Sequence, residues 1–223
     1  ALLMASNVRG QEASDAKKFE LPSNPAAWLN SPPLSTEMLA GKAAFLWFFE
    51  EGCPSCREKW PDMLATARKF EGKPVVFIAI NSGSPRNEVQ EYAREVNLTW
   101  PVIVDPDRTF EKAAGVGEIS LQNIYQARAL DGAGKLGPGN WSNIEGSVEQ
   151  VLKTARWRVD PSVVPDVLKP AWVQVEFGNY AAAAPFISKQ LYSPKPEVKE
   201  AAQKLTDAVK KELDIVAGEA AKA

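Results

Sequence analysis

The only two cysteines of the chain, Cys53 and Cys56, are separated by Pro54 and Ser55. Two thiols at this spacing can form a disulfide with each other. They follow an apolar run and precede a helical pattern, and the N-terminus of a helix can stabilise a thiolate. The pattern therefore predicts Cys53 as an attacking thiolate within reach of solvent. Cys56, one turn into the helix and more buried, would resolve the mixed disulfide.

A static disulfide is the structural alternative for this pair. A bond that closes so small a loop removes little entropy from the unfolded chain, so it is a poor staple. The spacing therefore favours redox chemistry over a structural crosslink.

The composition excludes several other kinds of site. The chain has 223 residues, a net charge of −2 and no histidine, so it has no Cys-His pair, no Ser-His-Asp triad and no histidine-ligated metal. Two cysteines cannot complete a four-ligand zinc site in one chain. We expect no metal and no bound cofactor, although two chains that each give two thiolates could share a metal or an iron–sulfur cluster.

The charge balance and the hydropathy bear on whether the chain binds nucleic acid or spans a membrane. A near-neutral net charge gives no basic surface for nucleic acid. No apolar run approaches the length needed to span a bilayer. The first residue is Ala1 rather than Met, which indicates a processed or truncated chain.

Alternating strand and helix patterns follow a proline-rich entry. Residues 43–49 and 75–80 are apolar runs typical of buried strands, and residues 57–70 are helical, with a kink expected at Pro61. The remaining predicted elements are a helix at 85–96, a strand at 101–104, a helix at 110–114 and a strand at 124–130. This order predicts an α/β domain with a central sheet flanked by helices.

The last third of the chain is helical throughout. Helices are predicted at 148–159, 163–177, 180–191 and 197–216. We divide the chain into a flexible segment at 1–19, an α/β domain at 20–146 and a small all-α helical segment at 147–223. Residues 178–183 look like the inter-helix turn of a tetratricopeptide repeat; the alternative is a helical cap packed on the α/β domain.

The residues around the cysteines resemble the thioredoxin superfamily, and within it the TlpA-type thiol-disulfide oxidoreductases. The resemblance covers about residues 20–146. It rests on a strand, a Cys-x-x-Cys pair, a helix with proline five residues after the second cysteine, and later alternating elements. The matching segments are Leu39–Lys42, Phe48–Phe49, Cys53–Cys56, Pro61 and Trp100–Asp107.

The resemblance implies a thioredoxin-like fold and disulfide exchange with protein cysteines, without a cofactor. It also implies a place outside the cytoplasm, periplasmic or secreted, with the protein either free or tethered through a segment that precedes this chain. Pro54, Ser55 and Tyr125 are candidates for substrate contact, with packing in the core as the alternative for Tyr125. The helical segment is a candidate surface for a protein partner.

Three positions depart from the family. Gly52 stands where the family carries tryptophan, and Trp47 stands where many thioredoxins have a buried carboxylate. Tyr125 stands where the family has a cis-proline, and no proline occurs between Pro106 and Pro138. A non-proline residue strongly prefers the trans form. We therefore expect the edge near Tyr125 at which a substrate would dock, the docking edge, to differ in shape from that of the family.

These departures leave two further hypotheses. A modified thioredoxin domain could serve as a non-catalytic interaction protein that binds a partner through its helical segment. Peroxiredoxins, relatives of this fold, place threonine three residues before the reactive cysteine, and Glu50 holds that place here. The sequence therefore favours disulfide exchange over peroxidase chemistry.

Overall fold

The computed structural model describes residues 19–220 of the chain. The flexible segment predicted at 1–19 lies outside this range except for its last residue. Phe19 packs on Phe110, with ring centroids 5.5 Å apart.

A six-stranded sheet forms the centre of the described part, in the order β1-β4-β3-β2-β5-β6. Strands β2, β3 and β4 are parallel, and β1, β5 and β6 run antiparallel to their neighbours. The strands are β1 (Trp28–Leu29), β2 (Ala43–Phe49), β3 (Val75–Ser82), β4 (Val102–Asp105), β5 (Gln126–Leu130) and β6 (Leu136–Pro138). This confirms the predicted α/β class.

The central strand β2 follows from its composition. All seven of its residues are buried, as expected for a parallel strand covered on both faces. Its neighbour β3 runs two residues beyond the predicted end, because Asn81 and Ser82 continue the ladder with β4. The edge strands β1 and β6 were not predicted, since two or three residues carry no readable alternation.

Seven helices cover the sheet and form the C-terminal part of the described chain. They are α1 (Pro54–Arg68), α2 (Arg86–Glu95), α3 (Thr109–Ala113), α4 (Ile144–Leu152), α5 (Lys169–Glu176), α6 (Tyr180–Gln190) and α7 (Pro196–Ala220). Helix α1 begins three residues earlier than predicted, because Cys53 caps it and Pro54 suits the first turn. It continues through Pro61 as one helix.

The sheet and the last three helices each have a hydrophobic cluster of their own. The first surrounds the sheet and includes Val148 of α4; the second is formed by residues from Val159 to Leu205. Helix α4 crosses the proposed boundary at residue 146 and contacts β2, β5 and α1. The division at 146 stays a prediction, whereas the helical C-terminal segment is confirmed.

A buried ion pair joins the two clusters. Lys42 precedes β2 and Glu176 ends α5; both side chains are fully buried, with Nζ and Oε2 3.1 Å apart. The Lys42 ammonium makes no hydrogen bond among the described residues, so the attraction is ionic. It lies 5.7 Å from the ring centroid of Trp157 and 5.6 Å from that of Phe177.

The two charges of this pair are not equally well satisfied. The Glu176 carboxylate also accepts backbone hydrogen bonds from Arg158 at 3.0 Å and Val159 at 2.8 Å. Burial and, to a smaller extent, the nearby charge of Arg158 lower the pKa of Lys42 to about 8, against the opposing attraction of Glu176. At neutral pH the pair therefore remains charged while the ammonium carries a desolvation penalty.

We expect Lys42→Met to lower the free energy of unfolding by about 3–5 kcal/mol, because it leaves Glu176 as a buried charge without a cation. The double variant Lys42→Met/Glu176→Gln should be less destabilised than Lys42→Met alone. Urea unfolding of the native protein, Lys42→Met, Glu176→Gln and the double variant measures the coupling energy between the two charges. A double variant that loses as much stability as the sum of both single variants would contradict this account.

Candidate active site

The cysteine pair lies at the junction of β2 and α1. After Phe49 the chain makes a turn, closed by a hydrogen bond from the amide of Cys53 to the carbonyl of Glu50 at 3.3 Å. Cys53 is the N-cap of α1, with φ −90° and ψ 109°, and Pro54 follows in the first turn. The site therefore stands at the helix terminus where the macrodipole favours negative charge.

The two thiols are reduced and close together. The Cys53 Sγ accepts a hydrogen bond from the backbone amide of Cys56 at 3.2 Å. Cys53 is 3 % exposed and Cys56 1 %. The expectation that Cys53 is open to solvent was therefore wrong: Gly52, Pro54 and Ser55 are exposed around it, and the sulfur lies beneath them.

Cys56 is held in its thiol form. Burial raises its pKa above the ordinary thiol range, and the hydrogen-bonding and charge interactions with Cys53 raise it further, while the backbone amide of Glu50 acts in the opposite direction. A neutral thiol at Cys56 is compatible with the role of a second, resolving sulfur.

An aromatic cluster supports the cysteine turn from below. Trp60 is fully buried and donates its indole N–H to the hydroxyl of Tyr92 at 2.9 Å. Phe49 packs edge-on against Trp60 at 5.3 Å and stacks on Tyr92 at 5.4 Å. Burial raises the pKa of Tyr92 to about 12, partly offset by this hydrogen bond. The sequence predicts the helix at 85–96 that carries Tyr92, but not this contact with Trp60.

Two carboxylates flank the turn. Glu51 accepts hydrogen bonds from the Ser84 hydroxyl and from Asn81 Nδ2, the latter at 3.1 Å. Burial tends to raise the pKa of Glu51, but these hydrogen bonds outweigh it and the pKa is lowered. Glu50 pairs with Arg108 at 3.2 Å. Glu51 therefore stays anionic at neutral pH.

Arg57, the basic residue directly after Cys56, is paired with a residue of helix α2. Arg57 forms an ion pair with Glu95 at 2.8 Å, and its guanidinium lies over the Tyr92 ring at 4.8 Å. Its charge is thus directed towards α2 and largely neutralised there.

Tyr125 lies at the same edge of the sheet as the cysteine turn. It directly precedes β5, whose first residue Gln126 stands opposite Phe48 near the end of β2. Its ring stacks on Trp141, with centroids 4.1 Å apart. Every peptide bond from residue 19 to 220 is trans. A substrate contact at Tyr125 stays a prediction.

Trp47 occupies the floor of a cleft between α1 and α4. The cleft measures about 500 Å3 and is also lined by Lys59, Met63 and Trp141. Trp47 is 1 % exposed, and its indole N–H has no hydrogen-bond partner among the described residues. An indole cannot accept a proton, so Trp47 does not replace the buried carboxylate that many thioredoxins have at this position.

Comparison with known proteins places the chain in a family. Residues 13–130 match the AhpC/TSA family, so the chain belongs to it. This range contains the whole cysteine site and ends with β5, which leaves the helical segment outside the match.

Among individual relatives, thiol-disulfide oxidoreductase ResA of Bacillus subtilis is 29 % identical over 97 residues, 44 % of this chain and 51 % of the relative. ResA of Geobacillus thermodenitrificans is 30 % identical over 79 residues, 35 % of this chain and 45 % of the relative. The chain thus spans about half the length of these curated relatives. At the level of the family, it is a homologue of thiol-disulfide oxidoreductases.

A solved structure shares the fold. The solution structure of a thioredoxin candidate from Neisseria meningitidis aligns with a TM-score of 0.50 at 21 % identity, covering 62 % of this chain and 92 % of that chain. This likeness supports the thioredoxin-like architecture of the sheet domain.

The raised pKa of Cys56 predicts how its alkylation depends on pH. In Cys53→Ser, we expect Cys56 to resist iodoacetamide at neutral pH and to react only well above pH 9.0, the ordinary value for a thiol. Burial is the largest cause of the shift and remains in this variant. The same protein unfolded in urea is the control and should react in the ordinary range. An ordinary pH profile in the folded variant would refute the shift.

Proposed function

We propose that the chain exchanges disulfides with protein cysteines through Cys53 and Cys56. The observation that carries the proposal is the helix cap: the Cys53 Sγ accepts the amide hydrogen of Cys56 at 3.2 Å at the start of α1. A sulfur that already accepts a backbone hydrogen bond there is stabilised when it becomes a thiolate.

The exchange proceeds in two displacements. The Cys53 thiolate attacks one sulfur of a substrate disulfide, which forms a mixed disulfide and expels one substrate thiolate; that thiolate takes a proton from water. The Cys56 sulfur then attacks Cys53 Sγ, and its proton leaves with the second substrate thiol. Two electrons pass from the dithiol to the substrate, and the reverse sequence oxidises a substrate dithiol.

The surface around the pair supports a protein substrate. Gly52, Pro54 and Ser55 are exposed while both sulfurs are almost covered. We propose that Pro54, Ser55 and Tyr125 contact the substrate chain, and that its approach uncovers Cys53. Neither metal nor cofactor enters this reaction.

The compartment and the partners are part of the same proposal. Disulfide exchange of this kind suits a location outside the cytoplasm, where disulfides persist. Within residues 19–220, no helix has both the length and the apolar character of a membrane span. The helical segment, with exposed Phe186 and Tyr192, is the proposed surface for a further protein partner, and its likeness to a tetratricopeptide repeat stays a prediction.

One observation favours the second hypothesis, a non-catalytic binding protein. Cys53 is only 3 % exposed, whereas an attacking thiolate needs access to its target. The deciding question is therefore whether Cys53 reaches a substrate disulfide at all.

Trapping of the mixed disulfide tests the proposal. Cys56→Ser removes the resolving thiol, so we expect it to accumulate a mixed disulfide with an oxidised cysteine-containing peptide, visible as one added peptide mass. Cys53→Ser should form none, because its remaining thiol is buried and protonated at neutral pH. The native protein should reduce the peptide disulfide and become oxidised in proportion.

Ser55→Ala serves as the matched control, because it alters the loop but keeps both thiols. It should reduce the peptide disulfide like the native protein. If neither the native protein nor Cys56→Ser reacts across a range of redox buffers, disulfide exchange is ruled out and the binding hypothesis stands.

A further inference from the structure

Arg108 occupies an unusual position beside the active-site turn. Its backbone has φ 57° and ψ 26°, a left-handed conformation, at the N-cap of α3. Few residues other than glycine adopt this region, and such conformations persist where the surroundings fix them. The side chain is 24 % exposed, so most of the guanidinium faces the protein.

The guanidinium joins three segments of the chain. Its Nη2 pairs with Glu50 Oε1 at 3.2 Å, in the turn that leads to Cys53. Its Nη1 donates to the carbonyl of Ile119 at 2.7 Å and pairs with Glu111 Oε2 at 3.2 Å. Glu111 is 1 % exposed, so its carboxylate depends on this cation.

The end of β3 leaves room for this group. Gly83 has φ +91°, and a Cβ added there would lie 2.5 Å from Arg108 Nη2. The amides of both residues donate to the carbonyl of Asp105, at 2.9 Å from Gly83 and 3.1 Å from Arg108. The loop geometry therefore keeps the guanidinium next to the cysteine turn.

The segment that Arg108 holds is the one in which the sequence departs from its family. Residues 115–125 connect α3 to β5 and end at Tyr125, where the expected proline is absent. Ile119 lies midway in this connection; its side chain is fully buried and its carbonyl accepts from Arg108. At the start of the connection, Arg128 donates to the carbonyls of Ala114 and Gly115.

We propose that Arg108 is a positioning residue that fixes the 115–125 connection against the active-site turn, so that the docking edge keeps one shape without a proline. A guanidinium suits this role because its planar set of donors can satisfy two carboxylates and a carbonyl together. The inference rests on the proposed disulfide exchange, and it concerns how a protein substrate is held rather than how sulfur reacts.

A large and a small disulfide substrate distinguish an effect on docking from an effect on the sulfur chemistry. We expect Arg108→Met to raise the KM for reduction of insulin disulfides about tenfold, the loss that follows from breaking one charge-assisted anchor. The rate with the small disulfide 5,5′-dithiobis(2-nitrobenzoate) should stay within about twofold, because that molecule needs no docking edge. Arg108→Lys should recover only part of the insulin KM, since an ammonium cannot reproduce the fork geometry.

Two further measurements report on how Arg108 holds the 115–125 connection and on the charge next to the cysteines. Amide hydrogen exchange at residues 115–125 should speed up in Arg108→Met. The reduction potential should move to more negative values in that variant, because an unpaired Glu50 carboxylate disfavours a nearby thiolate. In Glu50→Gln the loss of the Glu50 negative charge should move the potential the opposite way, while the bonds of Arg108 to Ile119 and Glu111 remain and the insulin KM changes little.

Arg86→Met is the matched control, since Arg86 donates to the carbonyl of Ala26 at 2.6 Å, away from the cysteine turn. It should leave the insulin KM, the rate with the small disulfide, the amide exchange and the reduction potential unchanged. Unchanged insulin KM and exchange in Arg108→Met would overturn the proposal. An equal loss on both disulfides would also overturn it, as would general unfolding of both Arg108 variants. If the native protein reduces neither disulfide, the proposed function fails, while the exchange measurement still decides whether Arg108 holds the connection.

Discussion

The hydrogen bond from the amide of Cys56 to the sulfur of Cys53 is the interaction on which the rest of the site depends. It caps α1, so the Cys53 sulfur replaces the oxygen that usually satisfies a free amide at a helix start. The position of this sulfur is thereby fixed by the same contact that begins the helix. A fully buried strand on one side and Trp60 on the other keep the junction from shifting.

Burial and charge around the junction act on the two sulfurs differently. Both sulfurs are buried, but Cys53 lies at the positive end of a helix, whereas Cys56 remains a thiol. Glu50 and Glu51 bring negative charge to the turn, and Arg108 neutralises part of it. Under the proposed disulfide exchange, the balance between these groups, rather than the Cys-Pro-Ser-Cys sequence alone, would set how readily the pair gives up electrons.

Much of this arrangement follows from local sequence. The run of apolar residues at 43–49 predicts β2 with its observed bounds, and two cysteines before a helical pattern predict the capped pair. The contacts that tune the site could not be predicted in the same way. Trp60 meets Tyr92 across 32 positions, and Arg108 meets Glu50 across 58; no local periodicity encodes such pairings. The burial of Cys53 was missed for the same reason, because helix propensity says nothing about what covers a cap.

The ion pair between Lys42 and Glu176 has a consequence for how the two halves of the molecule can move. Each charge is fully buried and is balanced chiefly by the other, so a small displacement would leave both without water and without a counterion. The contact therefore opposes any separation of the helical segment from the sheet at this point. Because Lys42 directly precedes β2, whose other end leads into the cysteine turn, the same ion pair anchors the helical segment to the strand that carries the site.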